Sequence, residues 1–138
     1  MLDGGARSGH RSLVAVIGLN RGRNSGEVHI DHVVALGNAW RTGAQAMTAQ
    51  QRQNLAGDPL ELLAVSRAVN LAKSDSDASE WLPPNAAFRC DYVARQIAVK
   101  VTYSLWVTPA ERSAMVGVLT TCPEQPLPAA VTPPEPLR

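Results

Sequence analysis

Residues 27 to 32 read Glu-Val-His-Ile-Asp-His, an alternation of polar and apolar side chains that ends on an adjacent carboxylate and imidazole. Alternation with a period of two is typical of a strand with one buried face. Because side chains alternate across a strand, His29 and Asp31 are expected on one face and His32 at the strand end. The strand is therefore predicted to deliver Asp31 and His32 to the two sides of one site.

The segments on either side of this stretch predict its partners. Residues 12 to 20 are rich in Val, Ile and Leu, and a turn cluster follows them, so a β-hairpin with residues 27 to 31 as its second strand is expected. Downstream, residues 60 to 65 form a short apolar strand, and residues 66 to 74 read as a short helix that carries Asn70. Strand, insertion, strand and helix predict an α+β fold with a ββα core.

Four further helices are predicted. The insertion holds one helix over residues 33 to 44 and a second that Thr48 caps, with Gln51 completing a capping box. A long helix is expected over residues 85 to 103. Thr108 caps a last helix, which has Pro109 at its first position and runs to about residue 120. The last two form a C-terminal helical hairpin.

The chain has room for one domain. Its 138 residues are 45% hydrophobic and 18% charged, which suits one modest core. We expect a flexible arm over residues 1–11, one folded domain over 12–122 and a disordered proline-rich tail over 123–138. The net charge of +1 is only a mild argument for a nucleic-acid partner.

The two cysteines and the apolar segments bear on the cellular compartment. Folding the C-terminal hairpin would bring Cys90 and Cys122 level, which permits a disulfide without requiring one. The longest apolar run, residues 13 to 19, is too short to span a bilayer, and no signal peptide is evident. The chain as given is therefore expected to be soluble, without a membrane partner, and cytoplasmic.

The residue types Asp31, His32 and Asn70 suit metal-assisted phosphodiester hydrolysis. That reaction needs a base for the attacking water and a cation beside the phosphate oxygens. His32 would be the base, and Asp31 and Asn70 would be oxygen ligands for Mg²⁺, which keeps several waters and takes few protein ligands.

Six short segments, taken in order along the chain, also resemble the sequence pattern of a known family. The stretch from Ile30 to Cys122 is similar to the HNH endonucleases of the ββα-metal, or His-Me finger, superfamily, and in particular to a subgroup of small, often exported bacterial members. The segments that carry the resemblance are Ile30 to Leu36, Ala39 to Arg41, Asn70 to Asp77, Glu80 to Pro84, Cys90 to Gln96 and Leu105 to Thr108. Their order and spacing together are specific.

The resemblance implies a Mg²⁺-dependent endonuclease of low sequence specificity on DNA, with Mn²⁺ as a substitute metal. It assigns the general base to His32 and the metal to Asp31 and Asn70. The segment after the Asn departs from the family pattern Asn-Arg-x-Lys-Gly-Asp, since Leu71 and Ser74 stand at the Arg and Gly places.

Other polar and aromatic side chains have two readings each. Lys73 shares the helical face of Asn70 and can reach a phosphate, or it is a solvated lysine. Arg41 can line a phosphate track or solvate its helix. His29 is either an extra metal ligand or an exposed strand residue, and we favour the second. The three tryptophans, Trp40, Trp81 and Trp106, are expected in the core.

Two functions outside catalysis compete with the nuclease. One is a nucleic-acid-binding protein of the HNH fold that is catalytically weak or truncated. The other is a disulfide-stapled structural domain with an incidental Asp-His pair, which predicts no metal affinity. Plasmid cleavage and metal titration separate the three.

Overall fold

The computed structural model describes residues 28–129, so the arm, the predicted first hairpin strand and the end of the tail lie outside the described residues. The described part mixes a small sheet with helices and is an α+β fold. Its elements are β1 (Val28–His32), α1 (Leu36–Arg41), a 3₁₀ helix (Ala44–Ala46), α2 (Ala49–Gly57), β2 (Leu62–Ser66), α3 (Arg67–Lys73), a 3₁₀ helix (Ala86–Phe88), α4 (Arg89–Thr102) and α5 (Pro109–Leu119).

Strands β1 and β2 pair antiparallel across the insertion. His29 lies opposite Val65 and Asp31 lies opposite Leu63, and residues opposite one another share a face of the sheet. Both partners on β2 are buried. His29 and Asp31 therefore share one face, as the alternation predicts, but it is the polar face that meets the protein interior, and the apolar side chains of Val28 and Ile30 are exposed.

Helix α3 follows β2 without a loop. Ser66 ends the strand and caps the helix, because its hydroxyl accepts the backbone N–H of Val69 at 3.2 Å. This direct junction places α3 across the interior face of the sheet. Asn70 and Lys73, one helical turn apart, are thereby brought to β1.

The helix predicted over residues 33 to 44 is shorter in the structure, beginning at Leu36 and ending just before the turn at Gly43. Val33 N–H donates to the backbone oxygen of Glu61 at 2.7 Å, so this residue continues the sheet-like pairing and the helix begins later, at Leu36. The helix ends at Arg41 because Gly43 has φ +133°, outside the helical region.

The capped helices match the expectation more closely. Thr48 and Gln51 form the predicted capping box at the start of α2. Thr108 accepts the backbone N–H of Glu111 at 3.1 Å, and Pro109 is the first residue of α5. Local hydrogen bonds of this kind are readable from sequence because both partners lie within one turn.

The core consists of two adjoining clusters, and neighbouring residues anchor them. Val33 packs in one cluster with Leu63, Val65, Ala78, Phe88, Tyr92, Val93 and Met115. Val34 packs in the other with Ala39, Ala44, Leu55, Leu60, Ala98, Val99 and Leu105. The chain immediately after His32 is therefore fixed on both sides by close packing.

The helices α4 and α5 are joined covalently and electrostatically. Cys90 and Cys122 form a disulfide, with their Cα atoms 6.4 Å apart. The buried ammonium of Lys100 lies 3.0 Å from a carboxylate oxygen of buried Glu111. In residues 28–129 no helix has the length and apolar character needed to cross a bilayer.

The expectation that all three tryptophans lie in the core is wrong for two of them. Trp81 packs edge-on against Tyr92, with ring centroids 5.8 Å apart. Trp40 and Trp106 are each about half exposed. Trp40 carries the guanidinium of Arg52 over its ring at 5.5 Å, which covers one face by a cation–π contact.

Candidate functional site

Asp31 is held by a lysine that the sequence did not identify as its partner. The Nζ atom of Lys73 lies 3.0 Å from Asp31 Oδ1 and 2.9 Å from Oδ2. It also donates to the backbone oxygen of His32. Lys73 is wholly buried and Asp31 nearly so, so this ion pair is shielded from water. This burial contradicts the reading of Lys73 as a solvated lysine and leaves its ammonium without the exposed surface that the predicted phosphate contact needs.

His32 is half-buried at the end of β1 and its ring is oriented by helix α2. Its Nε2 atom lies 3.0 Å from the backbone oxygen of Ala56. A carbonyl oxygen only accepts, so Nε2 carries the proton in this contact. In the neutral ring Nδ1 then holds the lone pair, and that nitrogen is the one able to take a proton.

The backbone after His32 is held by three side chains from distant segments. Val34 N–H donates to Oε1 of Glu61 at 2.6 Å, and the side chain of Gln96 donates to the backbone oxygen of Val33 at 2.9 Å. Lys73 holds the oxygen of His32 itself. Buried backbone groups bonded in this way fix the direction in which the imidazole leaves the chain.

Glu61 is a fully buried carboxyl group beside the ion pair. Burial raises its pKa from an ordinary value of 4.5 to about 8, against the opposing effects of the Val34 N–H bond and the charge of Lys73. Its second oxygen, Oε2, has no hydrogen-bond partner among the described residues. Burial also raises the pKa of Asp31, and the ammonium of Lys73 opposes that rise.

Asn70 meets His29, a contact that corrects the expectation of an exposed strand residue. The Nδ2 atom of Asn70 lies 3.1 Å from Nδ1 of His29. Both side chains are half-buried. The structure thus brings Asp31 and Asn70 to the same junction of β1 and α3, but gives each of them a different immediate partner.

Arg41 is exposed, as expected, but it is not free. Its Nη1 atom lies 2.8 Å from Oδ2 of Asp75, and its Nη2 donates to the backbone oxygen of Asp75 at 3.0 Å. The pair ties α1 to the residues after α3. The bond to Arg41 lowers the pKa of Asp75 below its ordinary value. A phosphate could reach this guanidinium only in competition with Asp75.

The donor set at this junction is sparse. Within residues 28–129 no three His, Cys, Asp or Glu side chains gather in an arrangement suited to a metal ion. A metal at the junction of β1 and α3 would draw on the carboxamide of Asn70 beside the carboxylate of Asp31. Carboxylate and carboxamide oxygens are the donors that Mg²⁺ and Mn²⁺ accept, so the residues fit such an ion in kind.

The chain was compared with models of known protein families, and the family it matches is consistent with an oriented imidazole beside a carboxylate and a carboxamide. The sequence model of the family described as "GmrSD restriction endonucleases, C-terminal domain" matches residues 11–118. The chain belongs to this family. Since that domain is of the HNH type, the resemblance to HNH nucleases found in the sequence is confirmed.

One curated protein is a relative of this chain. It is described as an uncharacterized secreted protein of Arthroderma benhamiae (strain ATCC MYA-4681 / CBS 112371), and the two are 46% identical over 98 residues. The matched part covers 70% of this chain and 48% of the relative, so the chain spans about half the length of that protein. No solved structure matches the chain.

Several residues of the site in this GmrSD-type domain escaped the sequence reasoning. Glu61 lies in a segment predicted to be a short apolar strand, and it belongs to no local motif. Gln96 is one polar position on a helix that is predicted to be long. Their partners lie 27 and 63 residues away. A charged residue inside an apolar segment was the one local sign that Glu61 had a buried role.

Proposed function

We propose that the chain is a metal-dependent endonuclease that hydrolyses phosphodiester bonds of DNA with low sequence specificity. Membership of a restriction-endonuclease family supports a nucleic-acid substrate. The observation that carries the proposal is the orientation of His32, whose Nε2 is bonded to Ala56 O at 3.0 Å beside Asp31 and the Asn70 helix. The β1, β2 and α3 elements would form a ββα-metal core.

His32 is proposed as the general base. With the proton on Nε2, its Nδ1 can accept the proton of a water that attacks phosphorus. The side chain is half-buried and so can be reached by solvent and substrate. Lys73 and Glu61 hold the backbone at His32 and Val34, so the ring is already oriented. Little orientational entropy is therefore lost when it reaches the transition state.

Asp31 and Asn70 are proposed as the metal-holding residues. An ionised carboxylate offers about four lone-pair sites, and Lys73 uses one on each oxygen of Asp31. A lone pair on each oxygen remains for a cation. A divalent ion bound here would neutralise the charge that develops on the phosphate oxygens.

One observation favours a second function. The carboxylate of Asp31 is already neutralised by Lys73, and the guanidinium of Arg41 by Asp75. Asp31 would have to bind a metal while paired with Lys73, and Arg41 a phosphate while paired with Asp75. A nucleic-acid-binding protein with weak turnover would look the same in these respects.

Supercoiled-plasmid nicking separates the two functions. We expect nicking by the full chain with Mg²⁺ or Mn²⁺, abolition by a chelator, and a loss of about 10²–10⁴-fold in His32→Ala because a positioned base is removed. His10→Ala, which removes an imidazole elsewhere in the chain, is the matched control and should nick at the parental rate.

Binding measured on the same DNA completes the test. DNA binding by His32→Ala with no nicking supports His32 as the base. DNA binding by the parent with no nicking under either metal would overturn the nuclease in favour of the binding protein. Nicking that persists in His32→Ala would remove His32 from the mechanism.

A further inference from the structure

The contact between His29 and Asn70 brings two metal-competent side chains together beside the strand that carries Asp31. His29 and Asp31 share the interior face of β1, two residues apart. Asn70 reaches that face from α3 and lies 3.1 Å from His29 Nδ1. An imidazole nitrogen and a carboxamide are therefore in contact where β1 and α3 meet, and the carboxylate of Asp31 lies on the same face of β1, paired with Lys73 of the same helix.

The atom that faces Asn70 is the one a metal would use. If the amide N–H of Asn70 donates to Nδ1, this nitrogen carries the lone pair and the proton of the neutral ring lies on Nε2. The two ends of a carboxamide have nearly the same shape, so a half-turn of the Asn70 amide presents its oxygen at the same position. That turn puts an oxygen and a nitrogen donor side by side.

The separation of these donors suits two ligands of one ion. Two ligands at right angles on an octahedral ion, each about 2.1 Å from it, lie about 3.0 Å apart. The His29 and Asn70 atoms are 3.1 Å apart. A hydrogen bond between them in the absence of metal would keep both side chains in place for binding.

We propose that His29 is a third metal ligand beside Asn70 and Asp31, and that it makes the site prefer Mn²⁺ to Mg²⁺. This rests on the metal site of the proposed function. Mn²⁺, a first-row transition metal, accepts an imidazole nitrogen more readily than Mg²⁺, which takes oxygen ligands. A site of carboxylate and carboxamide oxygens alone would lack that preference.

The test is pulsed electron paramagnetic resonance on Mn²⁺ bound to the full chain with ¹⁵N-labelled histidine and no DNA. We expect coupling to one directly bound imidazole nitrogen in the parent. His29→Asn, which keeps a polar side chain and an oxygen donor, should lose that coupling. His32→Ala should keep it, because His32 is the proposed base and not a ligand.

Calorimetric titration with each metal gives a second readout. His29→Asn should bind Mn²⁺ at least about tenfold more weakly than the parent and Mg²⁺ nearly as well as the parent. A bound Mn²⁺ without imidazole coupling, or with coupling unchanged in His29→Asn, would overturn the role of His29. So would a failure of the parent to bind Mn²⁺.

The outcome is independent of the nuclease test. Imidazole coupling that is lost in His29→Asn, in a chain that does not nick DNA, would leave the metal site standing and remove the nuclease. Nicking that depends on metal and His32, with no imidazole coupling, would keep the nuclease and remove His29 as a ligand.

Discussion

Lys73 Nζ lies 2.9 Å from Asp31 Oδ2, and the side chains of Lys73 and Asp31 are 0% and 7% exposed. The pair therefore lies almost entirely out of water, one residue before the proposed base. Removal of one partner from a buried pair leaves an uncompensated charge, which is far more costly than loss of a surface pair. The pair thus makes the stability of the fold depend on the same carboxylate that is proposed to hold metal.

Lys73→Met is expected to destabilise the fold by about 3–5 kcal/mol, because Asp31 stays buried without its partner. Urea unfolding followed by circular dichroism measures the change. The double variant Lys73→Met with Asp31→Asn should recover part of the loss, since the unpaired charge is gone. Arg112→Met, an exposed cation on α5, is the control and should change stability little.

A loss in the double variant that equals the sum of the two single losses would contradict this account. It would mean that Lys73 and Asp31 contribute independently. In a contacting buried pair we expect a coupling free energy instead.

Glu61 should make the fold less stable as the pH rises. Its pKa is raised by burial from 4.5 to about 8, so the folded state holds a proton that the unfolded state has lost between these values. The stability contributed by the neutral form is complete below about pH 4.5 and is lost as the pH rises through about 8. The loss is on the order of 3–5 kcal/mol.

The comparison of urea midpoints at pH 5, 7 and 9 checks this dependence. Glu61→Gln keeps an oxygen acceptor for Val34 N–H and cannot ionise, so its midpoint should fall less between pH 5 and 9 than that of the parent. Glu124→Gln, an exposed position, should follow the parent. Equal slopes for the parent and Glu61→Gln would show that Glu61 does not titrate in this range.

What the sequence predicts well is local. The caps at Thr48 and Thr108 lie within one turn of their partners, and the alternation through β1 places His29 and Asp31 on one face. Both follow from the dihedral preferences of a few neighbouring residues. They survive because the tertiary structure has no reason to override them.

What the sequence does not predict depends on distant partners. From the sequence, Lys73 could equally well be solvated. Its contact with Asp31, 42 residues earlier, is what offsets the free-energy cost of burying its ammonium. Trp40 reads as a core anchor but lies over Arg52 at the surface. In both cases the deciding neighbour comes from another element, and no periodicity within the helix reveals it.

Gly43 should tolerate no side chain. Its φ of +133° is unfavourable for any residue with a Cβ atom, and that atom would lie 3.2 Å from the ring of Trp106. We expect Gly43→Ala to destabilise the fold by about 1–3 kcal/mol. Gly117→Ala is the matched control, since nothing lies within 4 Å of its would-be Cβ on α5 and alanine favours helix.

The two glycine variants are expected to differ in melting temperature. Gly43→Ala should lower the melting temperature and Gly117→Ala should leave it unchanged or raise it. A neutral Gly43→Ala would show that the turn after α1 relaxes and that Trp106 moves aside.

The Cys90–Cys122 disulfide should stabilise the hairpin of α4 and α5 by restricting the unfolded chain. The two cysteines are 32 residues apart, and closing a loop of that length is worth about 3–4 kcal/mol in the chain-entropy description. The double variant Cys90→Ser with Cys122→Ser should have a free energy of unfolding lower by about 3–4 kcal/mol and a correspondingly lower urea midpoint. Reduction of the parent should give the same midpoint, and reduction should not shift the double variant. A double variant as stable as the oxidised parent would mean that packing between α4 and α5, with the Lys100–Glu111 pair, holds the hairpin without the covalent link.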